Sequence, residues 1–182
     1  TNPGRGKNFT RKMPLKEFER ILDEIVPKHG TPQINLEGSG EPTMAKDLPE
    51  YVKAVKKRNL KCFMYCNGAR LNGKFMRDVV DAGIDFIRIS VIGHNRELYK
   101  KWMDVDNFEL ILNNLRELKE YVRSSHSTTQ VSTYHLITDN NNIEKEIEAY
   151  KKNVINVVNS VAYIWKMHNW SGNHNNINPR EK

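Results

Sequence analysis

Cysteine is scarce: the 182 residues contain only Cys62 and Cys66. That count excludes a disulfide framework. Both fall within one strand-like stretch, where positions four apart are separated by roughly 13 Å, too far for a disulfide or for two ligands of one metal. They read as buried thiols, and such sparse use fits a reducing cytosol, so a cytoplasmic location is expected. Long apolar runs are also missing, so no segment is expected to span a bilayer. The opening Thr1-Asn2-Pro3-Gly4-Arg5-Gly6-Lys7 has no apolar stretch behind it, so no secretory signal is expected. With no initiator Met, the sequence reads as an internal piece of a longer chain. Three motifs are absent as well. There is no Gly-x-x-x-x-Gly-Lys-Ser/Thr loop, no Gly-x-Gly-x-x-Gly opening a helix and no Gly-x-Ser-x-Gly elbow, which excludes a P-loop enzyme and disfavours a Rossmann dinucleotide site.

What is present suffices for one domain with a substantial core. The net charge is +7. Lys and Arg are spread over many helix faces and form no single stripe, so nucleic acid is a disfavoured partner. Helix-like and strand-like segments alternate. Leu15, Phe18, Ile21, Leu22 and Ile25 recur at helical spacing after Pro14, and Pro27 and Gly30 end that helix. Strands are expected at Gln33 to Glu37, Lys61 to Cys66, Phe86 to Ile92, Thr129 to Thr138 and Val157 to Met167. Helices are expected at Leu48 to Arg58, after Asn72, from Arg96 to Met103, from Phe108 to Val122 and from Ile143 to Lys152. This alternation predicts an α/β domain with a parallel sheet and right-handed crossovers, either doubly wound or part of a barrel.

Ligands of parallel α/β sheets bind at the carboxyl ends of the strands. The first of these ends is Gly38-Ser39-Gly40-Glu41-Pro42, where glycines allow close approach to the backbone and Glu41 adds a carboxylate suited to an ammonium group. The next is Cys66-Asn67-Gly68, a turn signal. The third strand alternates so that Arg88, Ser90 and Ile92 share one face, and Arg88 and Ser90 need partners there. Of the adjacent Tyr134 and His135, only one can face a pocket. His168 and His174 lack a nearby cysteine or carboxylate, so zinc is disfavoured.

Taken in order, these strand ends resemble the radical S-adenosylmethionine superfamily. Gly38-Ser39-Gly40-Glu41-Pro42-Thr43-Met44 is similar to the family's Gly-Gly-Glu-Pro turn. Asn67-Gly68 resembles its Thr-Asn-Gly turn, with Cys66 in place of Thr. Ile89-Ser90-Val91-Ile92-Gly93 resembles its Ser-hydrophobic-Asp-Gly strand end, with Ile92 in place of Asp. Leu136-Ile137-Thr138 with Asn142 and Glu144 is similar to the end of the family's fifth strand. His168-Asn169-Trp170-Ser171-Gly172 resembles the segment leading, in a SPASM-type branch, to a C-terminal domain with extra iron–sulfur clusters.

The resemblance implies a parallel-stranded, TIM-like partial (βα)6 barrel over residues 1–172, its first strand and last helix outside this chain, with 173–182 a tail or linker. It implies an enzyme that cleaves S-adenosylmethionine reductively at a [4Fe–4S] cluster to a 5′-deoxyadenosyl radical and abstracts hydrogen from a substrate: a peptide, nucleotide or small molecule. A reductant for the cluster is the implied partner. It implies that Gly38, Ser39, Gly40, Glu41 and Asn67 line the cofactor site, Glu41 and its neighbouring backbone holding the amino group and Ser90 the ribose or carboxylate end. The family's Cys-x3-Cys-x2-Cys is missing. Cys62 and Cys66 copy half the spacing, but position 69 is Ala and the segment is a strand, so the cluster ligands are expected outside this chain. Two other readings compete: a non-catalytic homologue that binds S-adenosylmethionine or a nucleotide, and a basic RNA-binding or RNA-modifying protein. Without a preceding strand, the Gln33 edge is expected to promote self-association.

Overall fold

The structure, a computed structural model, describes residues 12–30, 33–38 and 40–166. Its framework is a sheet of five parallel strands: β1 (Gln33–Asn35), β2 (Lys61–Cys66), β3 (Phe86–Ser90), β4 (Gln130–Ile137) and β5 (Val161–Lys166). Each strand pairs with its sequence neighbour, in the order β1-β2-β3-β4-β5. A doubly wound sheet reverses its order partway. This one does not, so right-handed crossovers stack all helices on one face, as in the wall of a barrel.

The helices that supply this layer are α1 (Leu15–His29), α2 (Leu48–Lys56), α3 (Gly73–Asp81), α4 (Arg96–Met103), α5 (Phe108–Ser124), α6 (Ile143–Tyr150) and the short α7 (Asn156–Val158), joined to α6 by a π-helical turn at Lys151–Ile155. Their apolar stripes meet one face of the sheet. Val52 and Val55 of α2, Met76, Val79 and Val80 of α3, and Ile111, Leu115 and Leu118 of α5 pack into a single core with Cys62, Met64, Cys66, Ile87 and Ile89. Strand alternation sends the other set of side chains to the helix-free face: Phe63 and Tyr65 on β2, Phe86, Arg88 and Ser90 on β3, and Ser132 and Tyr134 on β4. Burial alternates accordingly along β2.

Several local expectations shift. Pro27 lies inside α1, and the helix closes at Gly30, whose left-handed backbone (φ 58°) directs its N–H to the Val26 carbonyl. The α2 helix, expected through Arg58, ends at Lys56, and Asp47 at its N-cap pairs with Lys12 without capping it. β1 is shorter than Gln33 to Glu37: its register with β2 covers Gln33, Ile34 and Asn35, and past it the Leu36 N–H still donates to the Phe63 carbonyl at 2.8 Å. Val157 and Val158 belong to α7, and the last strand begins at Val161, because Asn159 (φ 46°) turns the chain between them.

Candidate functional site

The carboxyl ends of β1 and β2 are tied together by one carboxylate. Glu41 Oε1 accepts hydrogen bonds from the Thr43 N–H (3.1 Å) and hydroxyl (2.6 Å), and Oε2 accepts from the Asn67 N–H (2.8 Å). The first of these bonds caps the 3₁₀ turn Pro42–Met44. Asn67 Oδ1 in turn accepts from the Ala69 N–H at 2.9 Å, so the β2 turn is held from both sides. A further clamp comes from the core: buried Asn114 of α5 donates through its amide to the carbonyls of Gly68 (2.9 Å) and Ala69 (3.2 Å). The sequence reading did not single out Asn114, although a lone Asn in the apolar stripe Phe108, Ile111, Leu112, Leu115, Leu118 is a usable signal.

The glycines at this rim divide into two kinds. Gly68 and Gly93 are demanded by the fold: each has positive φ (75° and 104°), and an added Cβ would lie 2.7 Å from Ile89 and 2.5 Å from the Tyr99 nitrogen. Gly38 and Gly40 are not. Neither has a left-handed backbone, and an added Cβ at either would meet no described residue within 4 Å. Both are exposed, and their backbone groups make no hydrogen bond to other described residues. Ser39 between them lies outside the described residues.

Ser90 ends β3 on the helix-free face, half-buried, beside Tyr134 in register on β4. Since Cys66 pairs with Ile89, Asn67 and Ser90 stand at the same level of adjacent strand ends. Glu41, Asn67, Ser90 and Tyr134 therefore form one row. Burial pushes the Tyr134 hydroxyl above its ordinary pKa, partly offset by the Arg88 charge.

The question of Tyr134 against His135 resolves in favour of Tyr134. His135 is fully buried on the helix side and stacked on the Tyr150 ring at 4.3 Å. Its Nδ1 accepts from the Gly93 N–H (3.2 Å), which puts the ring proton on Nε2, facing Glu146 Oε1 at 3.0 Å. Glu146 also accepts from the Thr138 N–H and hydroxyl and the Asp139 N–H. Burial pushes its carboxyl up, but these donors outweigh burial and hold it down at about 2. The cluster fixes the loop after β3 and is structural.

The described residues do not fit an iron–sulfur cluster. Among them no group of three or more His, Cys, Asp or Glu could hold a metal ion. Cys62 and Cys66 both face the core, and burial pushes the Cys62 thiol up to about 12 and the Cys66 thiol higher still. His168 to Gly172 and His174 lie outside the described residues. No helix among the described residues is long and apolar enough to cross a membrane.

Comparison with known proteins agrees with this architecture. A probable GTP 3′,8-cyclase of Thermococcus kodakarensis is 32% identical over 119 residues, covering 64% of this chain and 38% of that protein. An uncharacterized protein of Methanocaldococcus jannaschii is 25% identical over 143 residues, covering 78% of this chain and 45% of that protein. The chain thus spans less than half the length of these relatives. Among solved structures, Streptococcus suis SuiB bound to its precursor peptide SuiA superposes with TM-score 0.66 at 17% identity, covering 94% of this chain and 36% of that one. SuiB bound to S-adenosylmethionine gives 0.61 at 14% identity, covering 86% and 42%. The open five-stranded sheet is therefore a partial TIM-like barrel. The family model described as the Radical SAM superfamily matches residues 2–152, and this chain belongs to that superfamily.

Proposed function

We propose that the carboxyl ends of β1, β2 and β3 bind S-adenosylmethionine. The observation that carries this reading is the pair Gly38 and Gly40: no described residue requires glycine at either position, and both leave space before backbone groups that no described residue pairs. A ligand that packs against the backbone explains both glycines. In this reading the backbone of Gly38, Ser39 and Gly40 takes the amino group of the cofactor. Glu41 holds that turn against Asn67, and its Oε2, with one protein partner, has a lone pair left for the same ammonium. Asn67 sets the level of the β2 rim. Ser90 donates or accepts at the ribose or carboxylate end. Bound there, S-adenosylmethionine would supply the 5′-deoxyadenosyl group on which the superfamily's chemistry rests.

For the whole protein we propose the superfamily's activity: reductive cleavage of S-adenosylmethionine at a [4Fe–4S] cluster fed by an external reductant, followed by hydrogen abstraction from a substrate. No part of that cluster is assigned to the described residues. The test is anaerobic reconstitution of the full-length protein with iron and sulfide, then assay for 5′-deoxyadenosine under dithionite. Release of 5′-deoxyadenosine supports the reading, and a cluster-loaded protein that releases none contradicts it. A second reading is a non-catalytic S-adenosylmethionine-binding homologue, in which the two buried cysteines serve the core alone. It predicts tight cofactor binding and no cluster on reconstitution.

A further inference from the structure

Among the described strands Arg88 is the charged residue that is not exposed, whereas Lys61 and Lys166 are. It sits on the helix-free face of β3, two positions before Ser90, which places it about 7 Å below the rim. Its guanidinium carbon lies 3.5 Å from the ring centroid of Tyr163 on β5, 4.9 Å from that of Tyr65 and 5.0 Å from that of Phe86. Its polar partners are neutral: Nη1 donates to the Tyr65 hydroxyl (3.2 Å) and Nε to Ser132 Oγ (3.4 Å). Among the described residues no carboxylate lies within ion-pair distance, whereas Arg20, Arg58, Arg96 and Arg123 all have one.

A half-buried guanidinium stacked on a ring is held flat, with its edges and its remaining N–H donors presented outward. Its position, fixed by π faces and hydroxyls, leaves the charge uncompensated by any described residue, and a planar fork of donors in that state matches a carboxylate or phosphate. Tyr65, Phe86 and Tyr163 wall the spot with apolar surface, which strengthens a charged contact there.

We propose that Arg88 is the anchoring residue of a substrate subsite that takes an anionic group, a carboxylate or a phosphate, on the helix-free face beneath the cofactor rim. That the anion belongs to a substrate rests on the cofactor reading above. The binding of an anion by Arg88 does not, and it is measured without S-adenosylmethionine.

The test follows the Arg88 Nε–H resonance in ¹H–¹⁵N spectra, assigned through its contacts to the Tyr163 ring. The wild-type chain is titrated with inorganic pyrophosphate and, separately, with glutarate, against sodium chloride at matched ionic strength. A saturable shift with either anion, absent with chloride, is expected. Tighter pyrophosphate identifies a phosphate-bearing substrate, and tighter glutarate a carboxylate-bearing one. By calorimetry Arg88→Lys, which keeps the charge but loses the fork and the stacking, should weaken that binding at least tenfold, and Arg116→Gln, remote from the face, should not. Shifts no different from chloride, or equal affinity in Arg88→Lys, overturn the proposal. Because cofactor binding is titrated separately, failure here leaves the cofactor reading standing, and the reverse also holds.

Discussion

Glu41 illustrates how a rim residue serves as scaffold and as contact at once. Its carboxylate gathers the Thr43 N–H, the Thr43 hydroxyl and the Asn67 N–H. Glu41→Ala leaves those donors without their partner in a half-buried setting, so it should cost about 1–3 kcal/mol in urea unfolding. Gly40 predicts the opposite pattern. The Cβ that Gly40→Val adds meets no described neighbour within 4 Å, and the position is exposed, so its unfolding free energy should stay within about 0.5 kcal/mol of wild type. Equilibrium unfolding of both variants checks the contrast, and a strongly destabilised Gly40→Val would show that the glycine serves the fold. The sequence made the turn legible as a cluster of special residues, since Gly-Ser-Gly-Glu-Pro closing a strand has few ordinary uses. It did not reveal that Glu41 bonds across to Asn67, because a residue type does not name a partner 26 positions away. The cage around Arg88 was hidden for the same reason. Tyr65, Phe86 and Tyr163 stand far apart along the sequence, and only register brings them to one arginine.

At the scale of elements, β4 carries a division of labour that follows from its pleat. Tyr134 looks to the helix-free face, while His135 turns into the helices and meets Glu146 of α6. The Glu146 carboxyl is held at about 2, against an ordinary 4.5. A depressed carboxyl contributes stability that is complete above the unfolded value and is lost as pH falls toward the folded one. The account therefore expects wild-type stability to decline between pH 4.5 and pH 2 through this group, and the decline to be shallower in Glu146→Gln. Glu146→Gln should also be less stable than wild type at pH 7, since an amide cannot accept from His135, Thr138 and Asp139 at once. Urea unfolding across that range measures both, and parallel acid limbs would contradict the assignment. Element order and type were readable from hydrophobic alternation, and their ends were less so. Val157 and Val158 look like the start of a strand, yet they pack as α7, because Asn159 adopts the left-handed backbone that breaks the two apart. Local propensity favoured the strand, and the packing of α7 on α5, which buries Val158, decided otherwise.

For the molecule as a whole, the consecutive strand order sets both the barrel-wall geometry and its exposed margins. Among the described residues, no strand pairs with the outer edge of β1 or of β5. The β5 edge also carries Val161, Tyr163 and Trp165 at 64%, 42% and 55% exposure. Open edges with apolar side chains invite strand pairing between copies, so light scattering of this chain should show a mass that rises with concentration. A constant monomer mass would count against that expectation. The family was legible because its strand-end turns occur in order along the chain, and the matched residues 2–152 cover them all up to β4 and α6. The central claim concerns what those turns hold. Calorimetric titration of S-adenosylmethionine into the wild-type chain and into Gly40→Val tests it most directly. Saturable binding to wild type, weakened at least tenfold in a Gly40→Val protein of unchanged stability, is the predicted result. Absence of binding to the folded wild-type chain, or equal binding by both, would contradict it.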